Sequence, residues 1–174
     1  MKNGYLLLIV LEAKRMLDIE KIIIRSKNFT ICTIKKPHID RSEGGHIVIA
    51  CDNPMYINME DMPQEVLHEF IDIASVCGRY MKDMFDEEKI DVGIINYQVN
   101  GNWSVLRETR DPVHMHLYGR TKHSKKQPYG KALFLPDSET GFYDNNKSLN
   151  SSEIMFMREK LLNNKIVKKY LGEK

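Results

Sequence analysis

The chain has 174 residues, 42% of them hydrophobic, and a formal net charge of +2. That length suits one globular domain with a real core. The near-neutral charge supplies no global field, so neither nucleic acid nor a membrane is expected as a partner. Cys32, Cys51 and Cys77 stand in apolar contexts without paired or metal-binding spacing; they read as reduced core residues of a cytoplasmic protein. The apolar run at 5–11 is too short to span a bilayer and runs into Glu12, Lys14 and Arg15. Neither an anchor nor a signal peptide is expected there.

Helix formers mixed with apolar residues over 5–19 predict an opening helix. β-Branched and aromatic residues at 22–25 and 29–34, around Ser26-Lys27-Asn28, predict a hairpin. After the polar turn at 41–45, His46 to Cys51 is almost continuously apolar and predicts a central strand covered on both faces. Asp61-Met62-Pro63-Gln64 carries the signature of a helix start, with Asp61 as the capping side chain. Val66, Phe70, Ile73, Ala74, Cys77, Met81 and Met84 then repeat at spacings of three and four, a stripe that packs on a sheet. His68 falls among the polar positions of that helix and is expected to be merely solvated. A strand is predicted over 91–97, a turn at 99–102, a return strand from Trp103, and a charged loop from Arg107 to Pro112. Residues 137–149 read as a polar linker, and 150–171 as one C-terminal helix opened by Asn150 and Glu153.

The chemistry gathers at Asp111-Pro112-Val113-His114-Met115-His116-Leu117-Tyr118-Gly119-Arg120. Val113, Met115 and Leu117 alternate with His114, His116 and Tyr118, the period of a half-buried strand. Two imidazoles one pleat apart on a stiff support suit a nucleophile and its proton-handling neighbour at a phosphorus centre. His-x-His also suits a divalent metal, and surface histidines can have no role at all. Arg120, Lys122, Lys125, Lys126 and Lys131 follow directly, with His123 among them. Such a run is a solvated loop or a rim attracting phosphate.

The order of these pieces resembles the histidine triad nucleotide hydrolases and transferases. Gly45-His46-Ile47-Val48-Ile49 matches their Gly-His strand, Gln64 to Phe85 the long helix, Ile95-Asn96 the Asn-bearing strand, and His114-Met115-His116-Leu117-Tyr118 the later part of the triad motif. Pro112 stands where the family has its first triad histidine. The resemblance implies an α+β fold, an antiparallel sheet with a long helix packed on it plus N- and C-terminal helices. Its parts would be an N-terminal helix and first strand at 1–27, a catalytic domain at 28–136, and a linker with C-terminal helix at 137–174. It implies a homodimer without cofactor or metal, hydrolysing dinucleoside polyphosphates or nucleoside phosphoramidates, in the manner of diadenosine tetraphosphate hydrolases. His114 would be the nucleophile and His116 the group that binds or protonates the leaving atom. His46, Asn96, Thr109, Arg107 and Arg120 would support and bind the substrate. A backbone carbonyl could hold the proton on the far nitrogen of His114, where Pro112 offers no ring. The alternatives are a nucleotide-binding relative without useful catalysis and a small metal-dependent β-barrel enzyme using His114 and His116.

Overall fold

A computed structural model of the protein describes residues 19–101 and 111–172. Five strands, β1 (Ile19–Arg25), β2 (Phe29–Ile34), β3 (His46–Cys51), β4 (Val92–Gln98) and β5 (His114–Thr121), form one sheet in the order β1-β2-β3-β5-β4. Every neighbouring pair is antiparallel. The architecture is α+β, with helix α1 (Gln64–Glu87) between β3 and β4, and α2 (Ser151–Asn163) and α3 (Lys165–Lys168) closing the chain. Most of the expected opening helix lies outside the described residues, as does the expected return strand at Trp103. Ile19, taken as the helix's last residue, instead begins β1.

The apolar patterns place the core. Ile31, Ile47, Ile49, Met115 and Leu117 meet the α1 stripe of Val66, Phe70, Ile73, Ala74, Cys77, Met81 and Met84. Phe29 stacks on Phe70 with ring centroids 4.8 Å apart. Ile154, Met157 and Leu161 of α2 join the same core, and Arg158 donates from Nε to the Ile23 carbonyl at 2.8 Å. β3 is the middle strand, and Ile47, Val48 and Ile49 have no exposed surface, so both of its faces are covered. His68 is exposed on α1.

Two helix boundaries depart from expectation. Asp61 does not cap α1, because its carboxylate accepts the main-chain N–H groups of Ile57 and Asn58 in a short turn upstream. Pro63 holds the cap position without a side-chain bond. The C-terminal helix is broken at Asn164, whose extended backbone stops α2 and whose Oδ1 accepts from Ile166 and Val167 to start α3. An asparagine that satisfies the N–H groups of a helix start is more stable there than inside a continuous helix.

Candidate functional site

The register of β5 builds the site. Ala50, Val48 and His46 stand opposite His114, His116 and Tyr118 from β3, and Gln98 and Asn96 stand opposite His116 and Tyr118 from β4. Directly opposed residues share a face, so one face carries the imidazoles while Met115 and Leu117 turn to α1. A glycine contact sets this register. Gly44 has φ +113° and its backbone lies so close to Gly119 that a Cβ on Gly119 would be 2.0 Å from the Gly44 carbonyl oxygen. The Gly119 amide also donates to the Gly45 carbonyl at 3.1 Å, which anchors the start of β3 beside Tyr118.

The strand expected to be half-buried is closed on both faces. His46, His114 and His116 are 1%, 9% and 5% exposed. Two residues that the sequence did not single out add to this cover: His38, from the β2–β3 connection, packs on His46 and His116, and Tyr143, from the stretch read as polar linker, packs on His38. The His38 ring packs 4.9 Å from that of His46, 5.6 Å from His116 and 4.7 Å from Tyr143, centroid to centroid. Asn146 donates to the Pro37 carbonyl at 2.8 Å, and Lys126 Nζ ties Asn146 and the Phe142 carbonyl together. No periodic signal marks either residue, since His38 and Tyr143 are on connections rather than on a repeating face.

Hydrogen bonds fix which ring nitrogens carry protons. His114 Nδ1 is 2.9 Å from the Pro112 carbonyl oxygen. A carbonyl only accepts, so Nδ1 holds a proton, and in the neutral ring Nε2 carries the lone pair. The opposite order holds on the neighbouring ring. The main-chain N–H of His38 donates to His46 Nδ1 at 3.1 Å, which leaves the His46 proton on Nε2. That nitrogen is 2.9 Å from His116 Nδ1 and donates to it, so the proton of neutral His116 is on Nε2. One pleat apart, β5 therefore offers a nucleophilic nitrogen and an N–H donor.

Burial favours the neutral form of His38, His46 and His116. It pulls the pKa values of His46 and His116 well below the usual imidazole value, with neighbouring imidazoles adding to the effect. His38 is lowered to about 4, by burial and then by His114. Tyr118, whose hydroxyl is 2.8 Å from His38 Nδ1, is pushed far up by burial.

Among the described residues, one group could approach a metal ion: His38, His46 and His116, with ring nitrogens within 4.8 Å of one another. The tautomer of His46 works against it, because its Nδ1 already accepts the His38 amide and its Nε2 is the protonated nitrogen. Using both nitrogens as electron donors would require an imidazolate.

The other expected site residues are more dispersed. Asn96 Oδ1 accepts from Arg120 Nη1 at 3.4 Å. Arg120 is buried, and its Nη2 donates to the carbonyls of Pro128 at 2.9 Å and Lys131 at 3.1 Å. Part of the basic run is thus internal, since Arg120 and Lys126 bind main-chain oxygens. Arg107 and Thr109 lie outside the described residues. Gln98, which sequence reasoning passed over, has a buried Oε1 without a hydrogen-bond partner. An unmet acceptor on the imidazole face is one that a ligand donor would satisfy.

No family model and no curated protein matches this sequence; solved structures do match the three-dimensional shape. A histidine triad protein from Marinobacter aquaeolei superposes with a TM-score of 0.57 at 10% identity, covering 88% of this chain and 91% of its own. The chain has the histidine triad fold. A hypothetical histidine triad nucleotide-binding protein from Sulfolobus tokodaii gives a TM-score of 0.52 at 15% identity, over 87% of this chain and 91% of that one. A zinc-bound histidine triad family protein from Mycobacterium smegmatis gives 0.52 at 12% identity, over 90% and 91%. On this fold His46 lies on β3, and His114 and His116 lie on β5.

Proposed function

We propose that the imidazole face is a nucleotidyl-transfer site. His114 Nε2 attacks the α-phosphorus of a dinucleoside polyphosphate or nucleoside phosphoramidate and forms a nucleotidyl-imidazole. Water then cleaves that bond and releases a nucleoside monophosphate. The observation that carries this reading is the bond from His114 Nδ1–H to the Pro112 carbonyl, which in the neutral ring leaves the lone pair on Nε2. His116 presents Nε2–H to the departing atom or to a phosphate oxygen, held in that tautomer by His46. On this reading Asn96 and Thr109 hydrogen-bond phosphate oxygens, and Arg107 draws in the anionic substrate. Arg120 contributes by holding residues 127–131 beside the sheet. The neighbour from Sulfolobus, described as nucleotide-binding, supports a nucleotide as ligand. The scheme calls for no metal or cofactor, and a cytoplasmic homodimer is part of the proposal.

Intact mass after mixing with the 4-nitrophenyl ester of adenosine monophosphate and a neutral quench tests it. One nucleotidyl adduct on the wild type, absent from His114→Ala, is the expected result. Absence of both adduct and turnover would remove the reading.

A further inference from the structure

We infer that the site selects leaving groups that depart as anions, such as a phosphoanhydride oxygen rather than the nitrogen of an alkyl phosphoramidate, because the His38 main-chain N–H locks the order of protons across His46 and His116. This rests on the nucleotidyl-transfer reading and narrows its substrate class.

A main-chain N–H is always a donor. With that N–H on His46 Nδ1 at 3.1 Å, a neutral His46 has its proton on Nε2, and His116 Nδ1 must accept across 2.9 Å. Imidazolium at His116 would set two N–H groups against each other along that contact. Relieving the clash means parting the rings and leaving buried polar groups unmet, each at about 1–3 kcal/mol. His116 therefore holds a single proton, on Nε2, and releasing it would leave an imidazolate. It stabilises a departing atom by donating a hydrogen bond, and it does not hand over the proton.

The consequence follows from electron bookkeeping. In attack on a phosphoanhydride, the His114 Nε2 lone pair forms the N–P bond. The P–O bond breaks, and its electron pair leaves on the oxygen of a phosphate whose last proton has a pKa of about 6. No proton has to move. Water then forms the new O–P bond and the P–N bond breaks, returning the pair to His114 Nε2; the water's proton goes to solvent. For an alkyl phosphoramidate the same first step would leave the pair on nitrogen as an amide anion, which requires a full proton that this arrangement does not supply. Gln98 Oε1, opposite His116, is an acceptor and offers none.

Single-turnover rates over adenosine 5′-aryl phosphates with phenols of graded acidity, alongside an adenosine 5′-alkylphosphoramidate, test this on the wild type and His46→Gln. The expected result is a rate that falls steeply as the phenol becomes more basic. The alkylphosphoramidate should be at least ~100-fold slower than the 4-nitrophenyl ester, the lower range of what general acid catalysis supplies. In His46→Gln the amide oxygen can accept from His116 Nδ1–H, so the ratio of phosphoramidate to nitrophenyl rates should rise by ~10-fold or more. A flat series with equal turnover of the phosphoramidate, while the His114 adduct still forms, overturns this inference and leaves nucleotidyl transfer standing. An unchanged ratio in His46→Gln overturns the role of the lock. No adduct from any member removes both readings.

Discussion

Both faces of β3 and β5 are closed to water, yet burial does different things on them. Against α1 it is hydrocarbon on hydrocarbon, with Phe70, Ile73, Leu117 and Met81 all fully buried. Its product is stability, at roughly 25 cal/mol for each Å² of apolar surface removed from water. On the opposite face burial encloses His38, His46, His116 and Tyr118, whose polar atoms pair with one another. There it sets protonation. Exclusion of water gives stability where the enclosed atoms are indifferent to charge, and chemical direction where they are not.

Substitutions that exchange the consequences of the two faces would break this contrast. The largest expected effect is on the helix face: Phe70→Ala should cost about 3–5 kcal/mol in chemical denaturation, with activity per folded molecule unchanged. A drop in specific activity after correction for the folded fraction would mean that the faces are coupled. Next comes His116→Gln, which keeps an acceptor for His46 Nε2–H. Turnover should fall by ~10²–10³-fold, the usual effect of losing one donor at a reacting centre, with a denaturation midpoint near that of the wild type.

Acid should act through the imidazole face. His38, His46 and His116 have lowered pKa values in the folded protein, by burial first. The unfolded chain therefore binds protons before the folded one does. The stability from these groups is complete above about pH 6.5, the ordinary imidazole value. It is lost as pH falls through the folded values, which for His38 means down to about 4. Denaturation midpoints followed from pH 8 to pH 4 should decline in that window, and a flat profile would show that the rings are not held neutral. The smallest effect belongs to a joint remote from both faces. Asn164→Ala removes the cap between α2 and α3 and should cost ~1 kcal/mol, without altering the pH profile.

The helix face was readable because its signals are periodic. The stripe from Val66 to Met84 and the alternation of Val113, Met115 and Leu117 are local patterns that survive folding. His114 and His116 were legible for the same reason, being phased on a strand, and the Gly-His start of β3 brought His46 with them. The backbone carbonyl expected to hold the His114 proton is found, and it comes from Pro112, the residue standing in for the missing ring. What was illegible arrives by closure of the chain. His38 is eight residues before His46 on a connection, and Tyr143 lies in a stretch whose composition reads as linker. Their meeting depends on Asn146 reaching the Pro37 carbonyl, a contact between positions 109 residues apart. Arg120 looks in sequence like the first of a cationic run, and only the fold reveals that main-chain oxygens receive its guanidinium.

The amide of His38 donates its hydrogen to an aromatic ring nitrogen instead of to a carbonyl. A nucleus in that position has an unusual resonance frequency, set by the lone pair it touches. Its exchange with deuterium is governed by how often the connection lifts from the ring. This single proton is thus a built-in probe, readable in solution without any added label chemistry beyond nitrogen-15. It would register whether the imidazole array is assembled, whether a ligand has displaced it, and how fast the covering segment breathes.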